Sequence, residues 1–376
     1  MALPPLPTVR ELVRLYGLSA RKQLSQNFIF DLNITDKIVR KMGDLRGHVV
    51  IEVGPGPGSL TRSLLRNRQC HVVVVEKDRR FFPALEYLRD AVGHHRMSIV
   101  EGDILEVDEG VLVREASEHI PELMTPYDSV SSKPFYLRGL LANQDDAAKR
   151  MENHPQNHNI SSPERNYGDW CPTRVPVHLV GNLPFNISTV VLLKWLRQIA
   201  TQAGAFSFGP ARMSLMFQKE VADRICANRG SSNYSRLSVM SQMNCAVERS
   251  FDIPGRAFVP PPKVDGTLVT MIPQRKVPVS DRQFEVLEAV LREAFHHRRK
   301  TMRKSLSTLD EEVVNEVLER SGVDGGKRAQ EVTMPEWIQF AKVYEEMGLI
   351  EAERSSKRLG KGNRMKTADE VVENPS

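Results

Sequence analysis

Cysteine is scarce: four residues in 376, Cys70, Cys171, Cys226 and Cys245, with no C-x-x-C pair among them. That scatter excludes a disulfide framework and the usual structural zinc spacings, and it fits a reducing compartment. Long apolar runs are missing too. None approaches the roughly 20 residues that span a bilayer, so no membrane partner is expected. Charge of one sign is not dominant either, since 52 Lys and Arg stand against 47 Asp and Glu for a net +5. A bias that small is compatible with an anionic partner but does not establish one. His154 and His158 sit four apart like metal ligands. They lie in Pro- and Asn-rich polar sequence, and no metal is expected there.

What is present is an ordinary soluble composition, 40% hydrophobic and 26% charged, at a length that holds one large domain and a smaller one. "HVVIEVGPGPG" reads as a buried strand running into a glycine turn, and "SLTRSLLRN" as the helix that follows. "HVVVVEKD", "FFPALEYLRDAV" and "MSIVEGDIL" continue the alternation of strand, helix and strand. Buried strands alternating with helices predict an α/β fold with a parallel, doubly wound, Rossmann-like sheet. Past Ser280 three amphipathic segments predict a small all-α domain.

The expected boundaries follow from these changes of texture. Residues 1–24 form a basic N-terminal segment, residues 25–279 the α/β domain, 280–350 the helical domain and 351–376 a disordered tail. Within the α/β domain, residues 127–172 have no sustained period and read as a polar insertion. "SLMFQKEVADRICA" reads as a further strand and helix, and "LSVMSQMNCAVERSFDIP" with "GTLVTMIP" as a closing strand pair. The N-terminal segment has two readings: a mitochondrial address, or a basic first helix that packs on the domain or on a ligand.

Gly54, Gly56 and Gly58 fall where backbone must approach a ligand and where a helix offers free N–H groups. Their G-x-G-x-G spacing departs from the dinucleotide G-x-G-x-x-G. Glu76, 22 residues after Gly54, ends the next strand, where a carboxylate can take both hydroxyls of a ribose. The combination points to a nucleoside-containing cofactor. Asp103, after the third strand, can accept a hydrogen bond from an exocyclic amine such as that of adenine; it is equally common for an Asp there to cap the next helix.

"VHLVGNLPFNIS" delivers Asn182, Leu183, Pro184 and Phe185 to the end of another strand. Adenine's exocyclic nitrogen is a poor nucleophile because its lone pair is delocalised into the ring. An acceptor oxygen on Asn182, with the Leu183 carbonyl fixed by Pro184, would draw that lone pair out of conjugation. Phe185 would stack on the extruded base, a contact worth about 1–3 kcal/mol. Attack on a sulfonium methyl then needs positioning rather than a metal or a strong base.

The stretches "LSQNFIFD", "EVGPGPGSLT", "VVEKD", "GDIL", "VGNLPFNIS", "FQKEVADRI" and "FVPPPKVD", in this order over Val9 to Arg303, resemble the ribosomal RNA adenine dimethyltransferases. The N-terminal segment and "FHHRRK" are most similar to the mitochondrial members of that family, which favours the mitochondrial address. The resemblance implies S-adenosylmethionine as methyl donor. It implies N6,N6-dimethylation of two adjacent adenosines in the 3′-terminal hairpin of mitochondrial small-subunit rRNA, in the matrix, in support of small-subunit assembly. By position, Asn27 and Ile29 would close over the cofactor, Gly54 would contact its methionine part, and Glu76 the ribose. Lys77, Asp103 and Ile104 would hold the adenine, and Asn182 would border both cofactor and target base. The insertion at 127–172 is longer than the family pattern leads one to expect.

In "HHRRKTMRK" a continuous helix would put Arg299 with Arg303 and Lys300 with Lys304 on one face. With an RNA substrate implied, that face, Arg298, Arg21 and Lys22 are candidate phosphate contacts. The mitochondrial small ribosomal subunit is the expected partner and a monomer the expected state. The competing reading is a non-catalytic RNA- or DNA-binding assembly or mitochondrial transcription factor on the same fold, with the transcription machinery as partner. A dinucleotide-dependent oxidoreductase is disfavoured by the glycine spacing.

Overall fold

The computed structural model describes residues 6–18, 26–66, 70–120, 170, 175–274, 279–306 and 309–349. Arg21, Lys22, His154, His158, the 127–172 insertion apart from Trp170, and the 351–376 tail lie outside them. The chain divides into two compact units, Met1–Cys226 with Asn244–Val277, and Ala227–Met243 with Pro278–Ser376.

In the first unit, α1 (Val9–Leu15) opens with a capping box between Thr8 and Glu11. Then follow β1 (Phe28–Ile29), α2 (Leu32–Met42), β2 (Val49–Val53), α3 (Ser59–Arg66), β3 (His71–Glu76), α4 (Phe82–Val92), β4 (Met97–Glu101) and α5 (Glu109–Ser117). Beyond the insertion come β5 (Val177–Gly181), α6 (Ser188–Thr201), β6 (Arg212–Gln218) and α7 (Lys219–Ile225). Helix α8 (Arg236–Asn244) belongs to the second unit except for Asn244, and the chain re-enters the first with β7 (Cys245–Ile253), β8 (Phe258–Val259) and β9 (Gly266–Pro273). The segment expected to be strand from Leu237 therefore begins as helix. Its apolar residues Val239, Met240 and Met243 recur at helical spacing and are buried.

Seven strands form one sheet in the order β4-β3-β2-β5-β6-β9-β7. Pairs from β4 to β6 are parallel and the β6–β9 and β9–β7 pairs antiparallel, so the sheet is mixed where the sequence suggested a parallel one. Valine-rich β2 and β3 are buried along their whole length, as strands covered on both faces must be. One face packs Val50, Val72, Val74 and Val180 against Ile38 and Leu64 from α2 and α3, with Leu12 of α1 in the same core. On the other face α5 lies against β2 and β3.

The chain winds one way from β2 through β3 to β4 and returns on the other side of β2 through β5 to β6. Ligands of such sheets bind at the carboxyl ends of the strands where the direction reverses, here β2 and β5. Val53 pairs with Gly181 at that point. A Cβ on Gly181 would stand 2.9 Å from the Val53 carbonyl oxygen, so only glycine lets the two strand ends approach.

The second unit is helical. Helix α9 (Asp281–His296), α10 (Met302–Ser305), α11 (Glu311–Ser321) and α12 (Met334–Glu346) surround a core that contains Phe284, Leu291, Trp337 and Phe340. Helix α9 stops at His296, and Lys300 N–H bonds the His297 carbonyl in a turn. The single cationic helix face expected over "HHRRKTMRK" does not form. Arg298, Arg299 and Lys300 sit on a turn, and Arg303 and Lys304 on short α10.

Gly181→Ala should destabilise the protein by about 1–3 kcal/mol, the usual cost of forcing extra atoms into a packed site. Chemical denaturation measures it, and an unchanged midpoint would show that the strand ends can spread.

Candidate active site

The site is built where β2 and β5 end. After β2 the chain turns through Gly54, Gly56 and Gly58, all at positive φ. A Cβ on Gly56 would lie 2.7 Å from the Phe28 ring, so the turn and the β1 loop are in close contact. Glu76, at the end of β3, accepts hydrogen bonds from the Gly56 N–H at 3.0 Å and the Asp78 N–H at 2.8 Å. Its carboxylate is thus oriented by backbone. Each oxygen keeps a further lone pair for a ligand hydroxyl.

Asn182 follows β5 directly. Its Nδ2 donates to the Asn27 carbonyl at 2.6 Å. A carbonyl can only accept, so this contact fixes the amide with its nitrogen towards Asn27 and its oxygen available as an acceptor. The Pro184 carbonyl accepts from the Ile187 and Ser188 N–H groups, and the Ser188 hydroxyl donates to the Phe185 carbonyl. The tetrad is thereby locked onto the start of α6. The Leu183 carbonyl takes part in none of these turn bonds. Phe185 meets Phe258 edge-on at 6.4 Å, and β8, which carries Phe258, pairs with β1.

Asn27, Ile29, Gly54, Gly56, Glu76, Asn182 and Pro184 share the wall of one cavity with Gln26, Phe28, Glu52 and Met216. Gly58, Lys77, Asp103, Ile104, Leu183 and Phe185 are not in that wall. A Cβ on Gly58 would touch Leu85 and Leu88 of α4, and Leu183 is buried. Lys77 and Asp103 form an ion pair at 2.8 Å. That contact, then the Leu105 N–H, holds the Asp103 carboxyl below its ordinary range.

Sequence reasoning missed Glu52. It is 2% exposed, in the cavity wall, and its Oε2 has no hydrogen-bond partner among the described residues. Burial chiefly, with some help from the Glu76 charge, pushes its carboxyl up to about 8. Burial likewise raises Glu76. The signal was an acid inside "VVIEV", where every neighbour is a buried aliphatic.

Two buried carboxyls in a low-dielectric pocket are each stabilised as carboxylates by a ligand that carries positive charge. A glycine turn with no room for a Cβ at Gly56, an oriented acid beside it and a buried carboxyl with one unpartnered oxygen fit a nucleoside joined to a cationic amino acid.

The family profile described as ribosomal RNA adenine dimethylase matches residues 17–346. The chain belongs to the ribosomal RNA adenine dimethylase family. It is 44% identical to "Dimethyladenosine transferase 1, mitochondrial" of Vermamoeba vermiformis over 92% of this chain and 96% of that one. The Homo sapiens protein of the same name is 37% identical over 92% and 86%. A crystal structure of a dimethyladenosine transferase from Plasmodium falciparum superposes with TM-score 0.55, at 20% identity, over 85% of this chain and 98% of that chain. At that identity the likeness speaks for the fold, a methyltransferase α/β sheet.

The enzyme is an rRNA adenine dimethyltransferase and its methyl donor is S-adenosylmethionine. When bound, the donor supplies an electrophilic sulfonium methyl.

Glu52 makes stability depend on pH in a defined direction. Its folded pKa of about 8 lies above the ordinary 4.5, so its favourable contribution is complete below pH 4.5 and lost as pH rises towards 8. The stability of cofactor-free Glu52→Gln relative to wild type should therefore rise between pH 5 and pH 8.5, by on the order of a few kcal/mol. Denaturant unfolding at both pH values tests this; an equal difference at both would place the Glu52 proton elsewhere.

Proposed function

We propose that this enzyme dimethylates N6 of two adjacent adenosines in the 3′-terminal hairpin of mitochondrial small-subunit rRNA. On this reading it works in the matrix, as a monomer, in support of small-subunit assembly. The Asn182 amide carries the chemical part: its nitrogen is tied to Asn27, which leaves its oxygen to receive the target amine. The Leu183 carbonyl is the second acceptor and Phe185 the stacking platform, supported from behind by Phe258. Hydrogen bonding of the amine to two oxygens localises the nitrogen lone pair. A new N–C bond then forms as the methyl–sulfur bond breaks, and the amine proton leaves to water. The organelle and substrate rest on the curated relatives, which are named mitochondrial dimethyladenosine transferases.

Within the α/β unit, Asn27, Ile29, Gly54, Gly56 and Glu76 hold the methionine and ribose parts of the donor. Lys77, Asp103 and Ile104 hold its adenine. The helical unit is the RNA-binding domain. Its cations are not equivalent: the Arg298 guanidinium bonds the Ser232 carbonyl and Arg303 bonds the Asn315 side chain. Those contacts order the turn and α10, and Arg299, Lys300 and Lys304 are the phosphate contacts.

Methyl transfer to unmethylated small subunits is the direct assay. Asn182→Ala should lower the rate by about 100-fold or more with S-adenosylhomocysteine binding largely kept. Near wild-type turnover would remove Asn182 from the chemistry.

Replacing Arg299, Lys300 and Lys304 by Gln should weaken hairpin binding and reduce the slope of log affinity against log salt by about 2–3. An unchanged slope would show that the phosphates lie elsewhere.

A further inference from the structure

Outside the cavity, a polar assembly centred on one fully buried carboxylate joins α6 to the turn after β4. The Lys194 ammonium, on α6, donates to the Ile104 carbonyl at 2.6 Å, the Val107 carbonyl at 2.9 Å and Glu109 Oε1 at 2.8 Å. All three of its hydrogens are used. Glu109, fully buried at the start of α5, also accepts from Trp195 Nε1 at 2.8 Å and Gln198 Nε2 at 3.0 Å. Three residues of α6, Lys194, Trp195 and Gln198, therefore converge on one carboxylate.

The turn so gripped is Asp103–Val107. Its other backbone bonds are local: Glu106 and Val107 N–H to the Asp103 carbonyl, and Leu105 N–H to Asp103 Oδ1. The exposed Lys77 ammonium pairs with the Asp103 side chain from the end of β3. Lys194 grips the turn's backbone, because it holds two of its carbonyls from a different helix. That helix begins at Ser188, whose hydroxyl and N–H secure the catalytic tetrad. Lys194 stands roughly 9 Å further along it.

We infer that Lys194 is a positioning residue that sets the adenine-holding turn in register with the catalytic tetrad, through the Ile104 and Val107 carbonyls. The inference rests on the reading that Asp103 and Ile104 hold the donor's adenine. Asp103 can accept from the 6-amine of adenine, whereas the 6-carbonyl of hypoxanthine opposes it. The discrimination between the two bases thus reports how firmly the turn is placed. Glu109 has a separate task, to neutralise Lys194 inside the fold. Loss of Lys194 alone strands that carboxylate and costs stability; loss of both charges does not.

The test is calorimetric titration of the full-length protein with S-adenosylhomocysteine and with S-inosylhomocysteine, alongside denaturant unfolding. The proteins are wild type, Lys194→Met and Lys194→Met/Glu109→Gln. Wild type should favour the adenosyl ligand by about tenfold or more. Both variants should lose most of that preference, and the double variant should regain the stability that the single one loses. If the variants keep the wild-type preference, Lys194 does not position the turn. If the double variant regains preference together with stability, Lys194 acts only through the fold, and the inference is overturned. Wild type without any preference would instead refute the adenine reading of Asp103 and Ile104, and the inference with it.

Discussion

Everything functional in this enzyme depends on the close approach of β2 and β5. Their registered ends, Val53 and Gly181, leave no room for a Cβ, and each strand is followed at once by one half of the site. The glycine turn leaves β2 and the Asn182 tetrad leaves β5. Because the strands are parallel neighbours, the glycine turn and Asn182 emerge side by side at one edge of the sheet, in the wall of one cavity. A residue with a side chain at 181 would separate them. In-line transfer is decided by distance and angle, so a spacing set by backbone sterics is a durable way to hold it.

The second constraint is electrostatic. Glu52 and Glu76 are both buried, and Glu52 has an oxygen with no partner. An ordinary core would not keep such a group, because the lost hydration is not replaced. A cavity that receives a cation has reason to. Asp103 differs: it is more exposed and already paired with Lys77. On the proposed reading, the two buried carboxyls thus serve the amino-acid and ribose end of the donor, and the more exposed one its neutral adenine.

Much of this was legible in the sequence. Apolar runs such as "HVVVVE" announce strands buried on both faces, and the glycine turn, Glu76 and the Asn182 tetrad each sit at the end of one. The family likeness over the same motifs then agreed with the matching profile. Three things were not legible. Glu52 lies inside a strand, and although an acid among the aliphatics of "VVIEV" is itself a signal, only the fold shows that its carboxyl enters the cavity. The basic run from His296 keeps helical composition, yet α9 ends at His296 because tertiary contacts override a propensity spread evenly over charged residues. The antiparallel β9 and β7 at the sheet's edge follow from chain return, which local periodicity does not encode.

The N-terminal loop shows why binding and chemistry are coupled here. Asn27 holds the Asn182 amide from 155 residues away, Phe28 lies over Gly56, and Gln26 bonds Asp78, two residues past Glu76. One short stretch thus touches the Asn182 amide, the glycine turn and the segment just after Glu76. Strand β1 also pairs with β8, whose Phe258 backs Phe185. A loop tied to Asn182, Gly56 and Asp78 cannot shift without disturbing all three. On the proposed reading, the orientation of the acceptor oxygen is therefore conditional on the same backbone that closes the donor's cavity, and the free energy of donor binding is available to fix the geometry in which the adenine nitrogen attacks.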